Sequence, residues 1–374
     1  MPDQHLHIVS FTIPFPPNYG GVIDVYYKLK ALHEQGIKVH LHCFEYDRQH
    51  ATQLNAFCET VDYYKRKTGI RLALSRIPYI VLSRRSEDLI RNLLKDKHPI
   101  LFEGLHTCYY LDDPRLKERK KIYRESNIEH HYYFNLYKAE KNWFRKLYFL
   151  LASIKLKRYE KILKHADMML AVSRKDAEYL CEQFTGVPVH HLPSFHSNNA
   201  VVCKTGTGSY CLYHGNLSVA ENSVAAAFLI RNVFPDLDMN LIIAGHDPPR
   251  YLKKMVQKYQ HIQLIESPAD DEMALLIANA HVNILVTFQA TGLKLKLLNT
   301  LYTGRFILVN NAMLNGTGLN ELCTIADSPE ELRKELLRLK GEQFEQYEIS
   351  HRQAVLSLHY SNQLNVSRLI EYVF

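Results

Sequence analysis

Short apolar, partly β-branched runs alternate along most of this chain with stretches whose apolar residues recur every three or four positions, the mark of alternating strands and helices. Residues 7–13 (HIVSFTI) read as a strand. Val22, Val25, Tyr26, Leu29 and Leu32 form a helical stripe that Gly36 ends, and 37–44 alternates as a second strand. The pattern continues with a helix over 48–60, a strand at 61–64, a helix over 87–95 and a strand at 100–104. A strand over 120–129 follows, then a helical stretch over 132–165, a strand at 166–173, a helix over 174–184 and a strand at 187–192. Residues 193–209 are rich in turn formers and read as a linker. A second series then runs through strands at 210–214, 240–245, 262–265, 282–286 and 306–309, with helices between them. Helix 329–340 and one or two helices over 350–374 close the chain.

Two consecutive strand–helix series predict an α/β protein with two doubly wound, Rossmann-like parallel-sheet domains that face each other across a cleft. The expected domains are 1–195 and 205–354, with a C-terminal helix at about 355–374 that packs back on the first. A length of 374 residues suits two domains better than one.

Hydrophobic residues make up 47% and charged residues 23%, which predicts a fully folded globular chain. Seven scattered cysteines without a Cys-x-x-Cys pair predict free thiols and a reducing cytoplasm. The pairs His5/His7, His40/His42, His130/His131 and His190/His191 lack third and fourth ligands at metal-site spacing, so no metal is expected. The amino terminus carries no signal-peptide pattern, and no run reaches membrane-spanning length. Charge is uneven: fourteen Lys or Arg stand against five Glu between Lys117 and Lys164, while the whole chain carries +7. Aromatics interleave with those cations over 132–165, a pattern suited to peripheral contact with an anionic bilayer and a membrane-associated location. No nucleic-acid reading module is present, so a nucleic-acid partner is not expected.

The segment 288–306 joins a strand to a helix through a glycine and carries two lysines. Thr291 is placed to cap that helix and Gly292 to let a ligand approach the backbone. Leu293, Leu297, Leu298, Leu301 and Tyr302 make a packing stripe, while Lys296, Asn299 and Thr300 share another face. Unpaired N–H groups at such a helix start, with Lys294 or Lys296, would hold a diphosphate. In the first half, Gly20 and Gly21 follow a strand through a Pro-rich loop, and His106 lies beyond the end of another, where open α/β sheets place ligands.

Taken in order, the Pro-rich loop ending in Gly20-Gly21, Ala171-Val-Ser173, Tyr213-His-Gly-Asn-Leu217, Ile243-Ala-Gly245 and the Gly292–Gly304 segment resemble the retaining nucleotide-sugar glycosyltransferases of the GT-B fold. The likeness is to the group 1, or family 4, class. It implies transfer of a sugar from a nucleoside diphosphate sugar to an acceptor hydroxyl on a glycan, a lipid-linked molecule or another carrier. It implies no cofactor and no metal, and a role in making cell-surface glycan or glycolipid. By this resemblance Gly20, Gly21, Gly215, Asn216, Gly245, Thr291, Gly292, Leu293, Lys294 and Asn299 surround the donor. Lys296 matches the phosphate-binding lysine and His106 the histidine facing the transferred sugar. Asn127 and Glu129 fall on the acceptor side.

The sequence departs from the family at Thr291 and Asn299, where many members carry glutamates, the second holding the ribose. Asn216 and Glu221 stand near the places of an Arg/Lys clamp, and Ser126 replaces a histidine in Arg124-Glu-Ser-Asn-Ile-Glu129. A non-catalytic GT-B subunit, a phosphorylase or a nucleotide-sugar epimerase shares this architecture and is the alternative reading.

Overall fold

The computed structural model describes residues 3–140, 142–288 and 295–374. The chain divides into two compact units, the first built from residues up to Ser197 together with His359–Phe374, the second from Asn198 up to Leu358. Thr291, Gly292, Leu293 and Lys294, assigned above to a diphosphate site, lie outside the described residues.

The first unit contains strands β1 (His5–Ser10), β2 (Lys38–Glu45), β3 (Thr60–Lys65), β4 (Ile100–Glu103), β5 (Lys121–Arg124), β6 (Met168–Ala171) and β7 (Val189–His191). They form one sheet in the order β3-β2-β1-β4-β5-β6-β7, every pairing parallel. Its helices are α1 (Gly20–Glu34), α2 (Ile70–Ala73), α3 (Tyr79–Leu82), α4 (Glu87–Leu93), α5 (Glu129–Ala139), α6 (Trp143–Tyr159) and α7 (Arg174–Gln183). Buried β-branched and leucine side chains on both faces of the strands separate two cores, as a parallel sheet covered on both sides requires.

The second unit has strands β8 (Cys211–His214), β9 (Leu241–Gly245), β10 (Ile262–Glu266), β11 (Val282–Leu285), β12 (Phe306–Val309) and β13 (Thr324–Ile325). Their order is β10-β9-β8-β11-β12-β13, again all parallel. Helices α8 (Ala220–Phe228), α9 (Arg250–Val256), α10 (Asp270–Asn279), α11 (Leu295–Thr303), α12 (Asn311–Leu314), α13 (Pro329–Lys340) and α14 (Gln346–His359) surround it. The last helix, α15 (Asn362–Val373), buries Val366, Leu369 and Val373 in the core shared with α1 of the first unit.

Three local readings change. The helix expected over 48–60 is only a short 3₁₀ turn at Thr52–Ala56, because Ala51 and Leu54 are its only fully buried apolar anchors and no side chain caps it. The strand expected over 120–129 stops at Arg124, where Glu125 turns inward to accept from the N–H of Val172 at 3.3 Å. Glu129 therefore opens helix α5 and does not end a strand. The helical stretch 132–165 is broken at Asn142, whose side chain accepts from the N–H groups of Phe144 and Arg145 and starts α6 afresh.

Two polar arrangements organise the first unit. Lys28 Nζ lies 3.0 Å from Asp24 and 2.5 Å from Glu103, and Arg124 reaches Asp24 at 3.3 Å, all four side chains buried. Burial pushes the Asp24 carboxyl up, but Arg124 and Lys28 outweigh it and hold the group at about 2. Arg124 also donates to the carbonyls of Leu192 and Pro193, and Asp24 accepts from the N–H of Phe195 at 2.7 Å. The start of the stretch read as a linker is thus pinned to α1 and β5. At the other end of the sheet His5 and His7 of β1 stack with His40 and His42 of β2, hydrogen-bonded in pairs at 2.9 and 2.8 Å. Asp96 accepts from His7 at 3.0 Å, and the Tyr64 hydroxyl lies 2.8 Å from His42. No group of three or more potential ligands among the described residues is arranged to hold a metal.

Candidate functional site

In an open parallel sheet, neighbouring strands whose connections run to opposite sides leave a crevice at their carboxyl ends. In the first unit that point lies between β1 and β4, and in the second between β8 and β11. Residues assigned from the sequence collect at both, in two clusters that belong to separate units.

In the first unit β1 leads to Phe11 and β4 to Gly104 and His106. Gly104 has φ +72°, and a Cβ there would come within 3.1 Å of His106 Nδ1, so a side chain would be both strained and crowded. Gly21, in the first turn of α1, lies against the Phe11 ring; a Cβ would sit 2.7 Å from its tip. That ring is 5.5 Å from the His106 imidazole. Glu129 Oε1 stands 3.7 Å from His106 Nδ1, and Nδ1 has no hydrogen-bond partner among the described residues. Gly20 is exposed at the start of α1, whose N-cap residue Tyr19 supplies no side-chain acceptor. Asn127 is half-buried in the turn before α5.

The electrostatics follow from burial. Desolvation pushes His106 well below the ordinary imidazole range, and the Arg84 and Arg66 charges add to it. Desolvation pushes Glu129 up to about 8, with Arg84 opposing. Arg84 is itself fixed by donating to the Phe11 carbonyl at 2.7 Å and the Ile80 carbonyl at 2.6 Å. Sequence reading missed Arg84 and Phe11: one is among several arginines in its stretch, and the other ends a strand like any apolar residue.

In the second unit β8 ends in His214 and Gly215, β9 in Gly245, and β11 runs on to Thr287. Gly215 (φ +156°) and Gly245 touch so closely that a Cβ on Gly245 would fall 1.8 Å from the Gly215 carbonyl oxygen. Asn222 packs beside Gly215 and donates to the Asn216 carbonyl at 2.9 Å. Lys296, in the first described turn of α11, donates to Asn222 Oδ1 at 3.1 Å, with its Nζ 5.3 Å from the centre of the Tyr213 ring. Lys296, Gly215 and Gly245 are therefore brought together. Behind them His214 meets the Thr300 hydroxyl at 3.0 Å; burial, then the Lys296 charge, lowers its pKa to about 3 and keeps it neutral. Thr287 bonds Glu221 through its hydroxyl, and its N–H donates to Asn310 at 3.1 Å.

Two assigned residues are otherwise engaged. Asn216 Oδ1 accepts from the N–H and hydroxyl of Ser218, closing its own loop. Asn299 Oδ1 accepts from Asn198 at 3.2 Å, and Thr300, expected on one face with Lys296 and Asn299, is buried on His214. Asn222, His214 and Asn310 were not assigned a site role from the sequence. The Tyr213-His-Gly segment was the one available signal for His214.

No family model matches the chain. It is 26% identical over 333 residues to an uncharacterized 44.6 kDa protein in the cps region of Klebsiella pneumoniae, covering 84% of each. Solved structures align along nearly its whole length. The α,α-trehalose-phosphate synthase (UDP-forming) of Burkholderia xenovorans, with glucose-6-phosphate, has a TM-score of 0.66 at 9% identity and 99% coverage of both chains. HepE of Anabaena, with UDP and glucose, scores 0.65 at 10% identity with 98% coverage of both, and TarM scores 0.68 at 9% with 98% of both. The fold is the one these GT-B glycosyltransferases share: two α/β units, each on a parallel sheet, of seven and six strands. No helix among the described residues is long and apolar enough to cross a membrane.

Proposed function

We propose that the protein is a retaining glycosyltransferase that moves a sugar from a nucleoside diphosphate sugar, with UDP the first choice of nucleotide, to an acceptor hydroxyl in surface glycan or glycolipid synthesis. The observation that carries this reading is the grouping of Lys296 with Gly215 and Gly245 at the β8/β11 switch point, bare backbone beside a cation. UDP in the HepE structure supports the choice of nucleotide, and the Klebsiella relative in a cps region supports the glycan role.

In this reading the bond between the sugar's anomeric carbon and the diphosphate oxygen breaks while the acceptor oxygen bonds that carbon on the same face. Negative charge grows on the leaving diphosphate, and Lys296 with the N–H groups around Gly292 and Leu293 stabilises it without a metal. The acceptor's proton passes to a leaving phosphate oxygen. A side-chain base is unnecessary, and Glu129, protonated up to about pH 8, is unsuited to be one near neutrality. Neutral His106 is assigned the sugar-facing role, as hydrogen-bonding partner of a hydroxyl. Exposed apolar residues and cations along α6 support peripheral contact with an anionic bilayer.

A thermal-shift titration with UDP, GDP, dTDP and ADP, with and without magnesium, tests the reading, because a ligand that binds only the folded state raises the midpoint. A metal-independent preference for UDP is expected. No response to any nucleotide would favour a non-catalytic GT-B subunit, the reading that Thr291 and Asn299 at the family's glutamate positions also fit. Release of free or inverted sugar without acceptor would favour an epimerase or hydrolytic activity.

A further inference from the structure

Helices α2, α3 and α6 of the first unit border a cavity of about 310 Å³ that the transferase reading does not use. Ile80, Tyr133, Phe144, Leu147, Leu151 and Leu156 form most of its wall, and Lys155, whose Nζ donates to the Ala73 carbonyl at 2.7 Å, is its one charged lining residue among the described residues. The mouth is unusually apolar for a surface. Phe144 is 65% and Leu151 50% exposed, and Trp143 and Leu147 continue the stripe one turn apart along α6.

Both flanks are strongly basic. Between Tyr63 and Ser86 stand seven Lys or Arg and no acidic residue, of which Arg84 is buried in the His106 cluster and Arg85 pairs with Glu87; α6 carries Arg145, Lys146, Lys155, Lys157 and Arg158 and no acid, Lys157 pairing with Glu160 just beyond it. An apolar cavity bordered by two segments with a surplus of cations fits a hydrocarbon chain attached to an anionic head. A surface built for another folded protein would mix its charges.

We propose that this cavity binds the hydrocarbon chain of an anionic, phosphate-bearing lipid, and that this lipid carries the acceptor hydroxyl. The second clause rests on the transferase reading; the first does not. The acceptor is then lipid-linked, presented with its chain between α3 and α6 and its phosphate among the flanking cations.

The test uses the full chain and its only tryptophan, Trp143, whose ring lies 3.5 Å from that of Phe144 at the cavity mouth. Octyl, decyl and dodecyl phosphate are titrated below micelle formation, with inorganic phosphate and dodecyl maltoside as controls. Trp143 emission should shift to the blue with the alkyl phosphates, with affinity rising about threefold to fourfold per added methylene until the cavity is full. The maltoside should bind at least about tenfold more weakly, and inorganic phosphate should leave the emission unchanged. Ala152→Phe, which fills the cavity, and the exposed change Leu151→Asn should each weaken dodecyl phosphate at least about tenfold while circular dichroism and the UDP response stay as in the parent. Affinity indifferent to chain length, or unchanged in both variants, overturns the proposal. So does a concentration-dependent Trp143 shift without lipid, accompanied by dimer mass in light scattering, since a second copy would then cover the face. Alkyl phosphate binding without any nucleotide response keeps the chain site and removes the acceptor role; the reverse result removes the chain site alone.

Discussion

His106 Nδ1 lies 3.7 Å from Glu129 Oε1, and burial reverses the usual proton preference of the two groups. The carboxyl is pushed up to about 8 and the imidazole well below its ordinary value, so near neutrality the proton sits on Glu129 and the pair is uncharged. Neither ring nor carboxyl then repels a sugar; Nδ1 itself is buried, and it is the exposed fifth of the His106 side chain that can meet a hydroxyl.

A pH dependence of stability follows. The folded state keeps a proton on Glu129 that the unfolded chain releases above about 4.5, so this stability is complete below 4.5 and lost as pH rises through about 8. His106 acts in the opposite sense but only below 6.5, where the unfolded imidazole takes up a proton that the folded one refuses. Glu129→Gln should therefore gain on the parent protein with rising pH, by at most ~1.4 kcal/mol per pH unit, and level off above about 8. Thermal midpoints of the two proteins from pH 5 to 9 measure this; a constant difference would place the Glu129 proton elsewhere. Glu125, raised chiefly by burial, is common to both proteins and largely cancels in the comparison, the Glu129 charge being the smallest of the causes of its shift.

Lys296→Met should lower kcat/KM by ~10²- to 10³-fold, the loss typical of removing one donor to a developing oxyanion, with the fold retained. The same change should raise the His214 pKa from about 3, because Lys296 is one cause of its depression, yet leave it below 6.5 because burial is the larger cause. Histidine-resolved NMR titration separates the two effects. A neutral His214 in an inactive variant would assign the loss to the lysine.

The contact between Gly215 and Gly245 sets a steric prediction. A Cβ at Gly245 meets a backbone carbonyl oxygen at 1.8 Å, which cannot move without shifting β8, whereas a Cβ at Gly21 meets only the tip of the Phe11 ring at 2.7 Å. Gly245→Ala should cost about 3 kcal/mol or more, and Gly21→Ala under about 1.5 kcal/mol as the ring swings aside. Urea midpoints followed by circular dichroism give the ratio, and equal losses would contradict the close packing of the two loops.

Strand positions were legible because a parallel strand buried on both faces is a nearly unbroken apolar run, as in Ile100–Glu103 and Phe306–Val309. Both sheets follow from that, with the order of helices between strands. Elements held by polar side chains were not legible: the stop at Glu125 depends on a carboxyl buried against β6, and the break at Asn142 on a cap within a long aromatic run. In the site, glycines and His106 could be found because they follow strands directly. Arg84, Phe11 and Asn222 reach it only through contacts between residues far apart in the chain, which spacing alone does not encode.

Asn299 offers the sharpest test of how this chain differs from the family it resembles. Its Oδ1 accepts from Asn198 at 3.2 Å, a contact a carboxylate oxygen can keep, and Lys296 stands one turn earlier on the same helix to offset the added charge. If the position faces the ribose, a carboxylate would accept from both ribose hydroxyls through charged hydrogen bonds, each worth more than the neutral amide contact it replaces. Asn299→Glu should then tighten UDP binding about tenfold by calorimetry. The gain should vanish with the 2′,3′-dideoxy analogue of UDP, which has no hydroxyl to donate. Tighter binding of both ligands would mean that the carboxylate acts through Lys296 and the loop, and binding unchanged for either would remove Asn299 from the donor site.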